Sequence, residues 1–251
     1  MTRAGAGRAL MLALAAVVAL PASSWAQEAD FLFDRPLLTL GIRAGWDRPG
    51  EDSDVFDFIQ DELTIEEGDF AAATWGGELA VRLSGRLDLA LNAAYTKGET
   101  RSEFRDWVDL DDSPIEQTTT FQRIPVTLGL KLYLLPRGRQ ISRYAWVPRS
   151  WAPYVGVAGG WVWSELEQQG DFVDFATLDI FTDRIRSRAR SGTVHALAGA
   201  DINLSRYLFA NVEARYAWAS APLSDIFEDF EPIDLDGFRA TVGLSVRLNG
   251  S

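Results

Sequence analysis

Apolar and polar residues alternate along eight stretches of the chain. In the last stretch, apolar residues occupy every second position from Phe238 to Leu248, with polar residues or glycine between them. A period of two predicts a β-strand with one apolar face. The stretches lie at about 38–47, 74–83, 87–96, 123–134, 154–163, 194–204, 208–218 and 238–248.

The length of these predicted strands favours a membrane protein. Each has about ten or more residues, which matches the roughly 9–11 residues that cross a bilayer at a tilt. Strands of soluble proteins usually have only about 5–6 residues.

The connections support the same interpretation. Two are tight, at 84–86 and 205–206, whereas four are long, polar and acidic: 48–69, 98–117, 164–190 and 218–237. Short periplasmic turns and long outer loops are typical of transmembrane barrels. We therefore predict an all-β fold, an eight-stranded antiparallel up-and-down transmembrane β-barrel with four long acidic outer loops. The remaining connection, 135–150, is predicted to be an extended periplasmic turn.

Alternation alone does not say which face points inward, so a soluble, lipocalin-like barrel that binds an apolar ligand inside is the alternative. Aromatic residues favour the membrane barrel, because they stand at the long-loop end of the apolar face on six strands. Tyrosine and tryptophan prefer the membrane interface, where the ring is apolar and its polar edge stays hydrated. The predicted girdle consists of Trp46, Trp75, Tyr95, Trp163, Trp218 and Phe238.

The polar face carries charges in the middle of the predicted strands. The interior of an eight-stranded barrel is just wide enough for side chains, so opposite charges there can pair and no open channel remains. The predicted lumen charge network consists of Arg43, Glu78, Arg82, Arg123, Lys131, His195, Asp201, Glu213, Arg215 and Arg239.

Basic Arg3 and Arg8 before the apolar stretch 9–20 form an N-terminal export signal. Together with eight long alternating strands and a chain that ends with the last strand, this signal resembles the small outer-membrane β-barrel family of Gram-negative bacteria, of the OmpA/OmpX type. The resemblance extends over 27–251 and implies a single outer-membrane barrel domain. With no room after Leu248 for a peptidoglycan-binding domain, we expect no tether to the cell wall.

The N-terminus has the features of an export signal. Basic Arg3 and Arg8 precede the apolar stretch 9–20, and small residues lie before the expected cleavage after Ala26. We predict that 1–26 is a cleaved signal peptide and that the protein resides in the outer membrane. The chain has no Cys, which excludes disulfides and cysteine metal sites, and its net charge of −12 argues against nucleic-acid binding.

Three predicted loops interleave acids with large apolar residues. Two interpretations stay open: the loops fold over the barrel mouth and bury these residues, or the residues form a recognition surface for an extracellular protein. The candidate interaction surface consists of Phe56, Phe58, Phe172, Phe175, Phe227 and Phe230.

These acidic loops would face outer-membrane lipid and lipopolysaccharide, which is itself anionic. We therefore expect weakly bound divalent cations or a basic partner at the loops, and no other cofactor. We also expect a monomer.

A lipid-modifying enzyme is the less favoured function. Such an enzyme would use a histidine beside a nucleophile, but His195 is the only histidine of the chain. Its same-face neighbours Thr193 and Leu197 form no recognisable motif, so we predict no catalytic site and expect His195 to pair with a carboxylate.

Overall fold

The computed structural model describes residues 32, 35–50, 53–66, 68–108, 113–142, 145–173, 180–221 and 233–248. The predicted signal peptide lies outside these residues, so it stays a prediction. Within the described part of the chain, no helix is both long and apolar enough to cross a membrane.

Eight long antiparallel strands form a closed barrel, which confirms the predicted fold class. The strands are β1 (Leu38–Pro49), β2 (Ala72–Arg82), β3 (Leu87–Val108), β4 (Pro114–Tyr133), β7 (Trp151–Val173), β8 (Ile180–Asn203), β9 (Leu208–Trp218) and β12 (Gly237–Leu248). Each barrel strand pairs with the next one in sequence, and β12 pairs with β1 from Leu38↔Leu248 to Pro49↔Gly237. Closure leaves no unpaired sheet edge within the ring.

The barrel is taller on one side. Strands β3, β4, β7 and β8 have 20 to 24 residues, whereas the other four have 11 or 12. At about 3.3 Å per residue, the longer strands extend roughly 35 Å further. We call this extension, formed by 97–108, 114–123, 164–173 and 180–190, the strand wall.

The strand wall corrects two of the predicted loops, since most of 98–117 and 164–190 is strand. Polar residues occupy both faces of these segments, so they lack the one-sided alternation that predicts a strand. Their outward charges pair across strands instead: Arg188 contacts Glu165 at 2.7 Å, and Arg186 also forms an ion pair with Glu165 at 3.2 Å. Opposite charges on neighbouring strands stabilise a sheet that has no apolar outer face.

Inside the strand wall lies a short amphipathic helix, α1 (Asp54–Glu62), within the first predicted loop. Phe56, Ile59 and the following Leu63 recur at helical spacing and are buried, whereas Asp57 and Phe58 are exposed. The buried residues meet side chains from the strands and from the short pair β10 (Ser220–Ala221) and β11 (Ile233–Asp234). This apolar plug consists of Phe56, Ile59, Leu63, Ile65, Phe70, Phe121, Val162, Leu166, Ala221, Ile233 and Leu235.

The opposite end of the barrel is covered by a hairpin of β5 (Gly138–Ser142) and β6 (Ala145–Pro148), within the segment predicted as an extended turn. Trp146 of this hairpin is only 4% exposed. Its backbone bridges Leu32, and its ring lies 5.3 Å from the Arg82 guanidinium. The barrel is therefore covered by side chains at both ends.

Candidate functional site

The barrel presents its apolar side chains outward. Leu128, Leu130 and Leu132 on β4 are exposed, while Lys131 between them is buried. The same holds around the ring, where the outward apolar residues include Leu40, Ile42, Leu79, Leu91, Val155, Val157, Val194, Leu244 and Val246. An exposed apolar band over a charged interior is the surface of a transmembrane barrel, and it is the reverse of a lipocalin.

The predicted girdle residues all lie on this outer face, toward the strand wall. Trp75 pairs with Tyr95 across β2 and β3, with their rings 5.5 Å apart. Phe238 pairs with Tyr216, which the sequence analysis did not include, and Tyr216 packs 4.8 Å from Trp218. Trp161 is a further exposed ring next to Trp163.

The structure brings five of the ten predicted lumen residues into one layer halfway along the barrel. Glu213 is the centre of this layer, because its carboxylate contacts Arg43 at 2.8 Å, Arg215 at 2.9 Å and Lys131 at 3.1 Å. Glu78 contacts Arg43 at 2.6 Å and Lys131 at 2.5 Å. All five of these side chains are buried, so each charge depends on its neighbours for compensation.

A second layer lies closer to the apolar plug. Asp47 accepts ion pairs from Arg123 at 2.9 Å and Arg239 at 2.8 Å, and a hydrogen bond from the Thr96 hydroxyl at 2.8 Å. The Arg123 guanidinium also donates to the Leu235 carbonyl of the plug. Asp47 was not among the predicted site residues, although its inward position on β1 follows from the alternation.

A third layer lies near the β5–β6 hairpin. Tyr133 donates to Asp201 at 2.8 Å, and Tyr154 donates to Glu213 at 2.8 Å, which links this layer to the middle one. Arg82 lies close to the same hairpin, beneath Trp146. Neither tyrosine belongs to the predicted lumen charge network, which includes only charged side chains and histidine.

Inward glycines make room for these large side chains. A Cβ at Gly199 would lie 2.6 Å from the Tyr154 ring, and a Cβ at Gly243 would lie 2.7 Å from Arg43 and 2.3 Å from the Ile42 carbonyl oxygen. Such contacts are too short for any side chain. The glycine content of the polar face therefore reflects the crowding of the lumen.

His195 is buried at 2% exposure between the charged layers and the plug. Its Nε2 lies 3.0 Å from the Thr193 hydroxyl, which also contacts the Trp218 carbonyl at 3.2 Å. The expected hydrogen bond to a carboxylate is absent among the described residues, because Asp47 is occupied by two arginines and Thr96. In this position the imidazole has no route to lipid.

The hollows among the lumen residues are small. Three hollows lined by lumen residues measure about 20, 10 and 10 Å³, each roughly the space of one water molecule. This excludes a lipocalin-like cavity for an apolar ligand. It also leaves no continuous water channel through the described residues.

The predicted loop phenylalanines have different environments. Phe56 is fully buried in the plug, so it belongs to the alternative in which the loop folds over the mouth. Phe58 lies on the exposed side of α1, and Phe172 stacks on Phe181 with ring centroids 6.0 Å apart. The other three, Phe175, Phe227 and Phe230, lie outside the described residues.

No group of three acidic, histidine or cysteine side chains within the described part of the chain is arranged to hold a metal ion.

Neither a protein-family model nor a curated protein sequence matches the chain. Solved structures do show similarity. The outer membrane protein OprG from Pseudomonas aeruginosa is 14% identical with a TM-score of 0.48, over 87% of this chain and 100% of its own. Neisserial surface protein A is 11% identical with a TM-score of 0.46, over 84% of this chain and 97% of its own. The attachment invasion locus protein Ail of Yersinia pestis is 10% identical with a TM-score of 0.45, over 86% of this chain and 100% of its own. The chain is thus similar to outer-membrane barrels, the class of structure that its strand pattern resembles.

Proposed function

We propose that the protein is an outer-membrane barrel that does not conduct solutes and acts as a surface interaction protein through its strand wall. The observation that supports this most is the combination of a filled lumen with a wall that extends roughly 35 Å beyond the short strands. A lumen packed with ion pairs cannot pass a substrate. The wall, by contrast, presents the outer face of a long sheet beyond the girdle, while the plug covers part of its inner face.

The wall belongs on the cell exterior in this proposal. The tight turns at 83–86 and 204–207 and the start of β1 lie at the opposite end of the barrel. In transmembrane barrels short turns face the periplasm and long extensions face outward. The aromatic girdle lies between the exposed apolar band and the strand wall, as expected at the outer membrane–water interface.

The tip of the strand wall carries an aromatic pair that is well suited to bind a partner protein. Phe172 and Phe181 stack where β7 ends and β8 begins, and Phe181 is 45% exposed. Asp171 accepts a hydrogen bond from Thr182 at 2.6 Å beside them. An exposed aromatic pair rimmed by polar groups is a typical protein contact, since aromatic residues dominate binding energy at interfaces.

A photo-crosslinking amino acid at Phe181 tests this role in intact cells. We expect a discrete protein adduct at Phe181 and none from the same amino acid at Arg101, an exposed position elsewhere on the wall. Adding Phe172→Ser should remove most of the adduct, and repeating the experiment with a chelator shows whether divalent cations at the acidic segments assist binding. Adducts with lipopolysaccharide alone, or equal labelling at both positions, would contradict the protein-partner proposal.

A second prediction follows from the contact that we propose between the exposed apolar band and the hydrocarbon of the membrane. Leu128→Arg places a charge on the exposed apolar band, so we expect it to destabilise the barrel in lipid vesicles by about 2–4 kcal/mol. Leu128→Phe, which keeps the position apolar, should change stability little. Denaturant unfolding in vesicles measures both, and equal effects of the two substitutions would mean that this face does not contact hydrocarbon.

A further inference from the structure

Exposed arginines surround the end of the barrel opposite the strand wall. They lie before β1, in the tight turns that follow β2 and β8, and in and after the β5–β6 hairpin. We call them the arginine collar, which consists of Arg35, Arg86, Arg139, Arg149 and Arg206. Because these connections belong to strands all around the ring, the collar is not confined to one side of the barrel.

This end of the barrel is strongly positive. With the half-buried Arg82, Arg137 and Arg247, its described residues include eight arginines but only two acids, Asp88 and Asp201. Both acids are buried, and Asp88 is already paired with Arg137 at 2.5 Å. Within the described ranges, no arginine of the collar forms an ion pair with a carboxylate.

The excess of positive charge survives a wider count. Glu28, Asp30 and Asp34 precede β1 in the sequence, outside the described residues. Adding all three to this end still leaves more arginines than acids. Since the whole chain has a net charge of −12, the positive end reflects the placement of charge along the chain and not its overall composition.

The collar borders the exposed apolar band. Four of its five arginines lie within three residues of a large apolar side chain that is between 46% and 53% exposed. These apolar neighbours are Leu37, Leu83, Trp151, Leu204 and Tyr207. The headgroup layer of a bilayer begins where the hydrocarbon ends and is roughly 5–8 Å thick on each side. Arginine has a long flexible stem, so its guanidinium reaches this layer from the border of the band.

We propose that the arginine collar binds the phosphate groups of anionic phospholipids. A protein partner would contact one patch of the barrel, whereas lipid headgroups surround the whole ring, as the collar does. An anionic lipid fits better than a zwitterionic one, because its phosphate charge is not compensated by an amine of the same headgroup. In the orientation proposed above, these lipids belong to the periplasmic leaflet.

The absence of cysteine from the chain allows a single fluorescent label beside the collar. Gly85 lies in the turn next to Arg86, and a Cβ at this position would meet no atom within 4 Å, so Gly85→Cys should not disturb the fold. The labelled full chain is refolded into phosphatidylcholine vesicles. These contain a small fraction of either phosphatidylglycerol or phosphatidylcholine with a nitroxide on the acyl chain near the headgroup, which quenches a nearby fluorophore.

We expect the spin-labelled phosphatidylglycerol to quench the label about threefold more strongly than the spin-labelled phosphatidylcholine. The difference should disappear at about 1 M salt, where charges are screened over roughly 3 Å. Because both leaflets contain the same lipids, the result does not depend on the orientation of the barrel. It is also independent of the crosslinking result at Phe181, so this proposal and the surface role can fail separately.

Substitutions test whether the preference arises from the collar. Arg86→Gln combined with Arg206→Gln should bring the quenching by the two lipids close to equality, whereas the same two residues changed to Lys should retain the preference. Arg101→Gln combined with Arg105→Gln removes the same charge from exposed positions of the strand wall and should leave the preference unchanged.

Equal quenching by the two lipids in the unsubstituted protein would overturn the proposal, even if a collar variant did not fold. A preference that the collar and wall variants lose equally would also overturn it, since it would then reflect only the total charge. The detergent-solubilised protein is also sedimented with peptidoglycan. Binding to peptidoglycan that depends on Arg86 and Arg206, without a lipid preference, would assign the arginines to the cell wall instead.

Discussion

Glu213→Ala is expected to destabilise the barrel by about 3–5 kcal/mol, among the largest effects of any single substitution in the lumen. The carboxylate of Glu213 contacts Arg43, Lys131 and Arg215 within 3.1 Å and accepts a hydrogen bond from Tyr154. Its removal leaves three buried cations with Glu78 as their one remaining carboxylate in that layer. Reversible urea unfolding in lipid vesicles, followed by tryptophan fluorescence, measures the loss.

Glu165→Ala is the matched control. Glu165 also contacts two arginines, Arg186 at 3.2 Å and Arg188 at 2.7 Å, but on the exposed outer face of the strand wall. Exposed ion pairs contribute only about 0–1 kcal/mol. Similar losses for Glu165→Ala and Glu213→Ala would mean that water reaches the lumen layer and that the barrel is not filled as described.

Phe56→Ala should weaken the docking of α1 in the barrel mouth by about 3–5 kcal/mol, the usual cost of removing a buried phenylalanine. Phe56 is fully buried, and its ring packs 5.4 Å from Phe70 and 5.8 Å from Phe121. Proteolysis or hydrogen exchange of the segment around α1 reports this local opening. The Phe56→Ala barrel should still not conduct ions in planar bilayers, because the ion-pair layers beneath the plug do not depend on the helix.

Phe58→Ala is the natural comparison, since Phe58 lies two residues further along the same helix with its side chain 44% exposed. We expect less than half of the effect of Phe56→Ala on protease sensitivity. A large steady conductance of the Phe56→Ala protein would contradict the view that the apolar plug and the ion-pair layers close the barrel independently.

The transmembrane part of the barrel could be predicted from the sequence because each of its strands has one apolar face. Leu128, Leu130 and Leu132 face outward and Lys131 faces the lumen, so the alternation shows directly which residues of the strand point inward. The strand wall has no such alternation. Around Glu165 and Arg188 both faces are polar, and their pairing across β7 and β8 appears only when the two strands are aligned.

The apolar plug has a signal in the sequence that leaves two interpretations open. Phe56, Ile59 and Leu63 have helical spacing, and Ser53 precedes acidic residues at the start of α1, as is typical of a helix N-terminus. In a long acidic loop the same residues also fit an exposed recognition surface. Only the position of the strand wall, which supplies Phe121 and Leu166 as partners, decides between the two.

The seam between β1 and β12 joins the two ends of the barrel sequence, and this sets the order of assembly. Leu38 pairs with Leu248, and the ion pair between Asp47 and Arg239 joins residues 192 positions apart. The hairpins of β2 to β9 can form from neighbouring segments as soon as those segments are available, whereas closure has to wait for the final strand. Until β12 arrives, β1 remains an open edge and Asp47 lacks its partner Arg239. The twelve residues of β12 therefore determine when the molecule becomes a sealed cylinder.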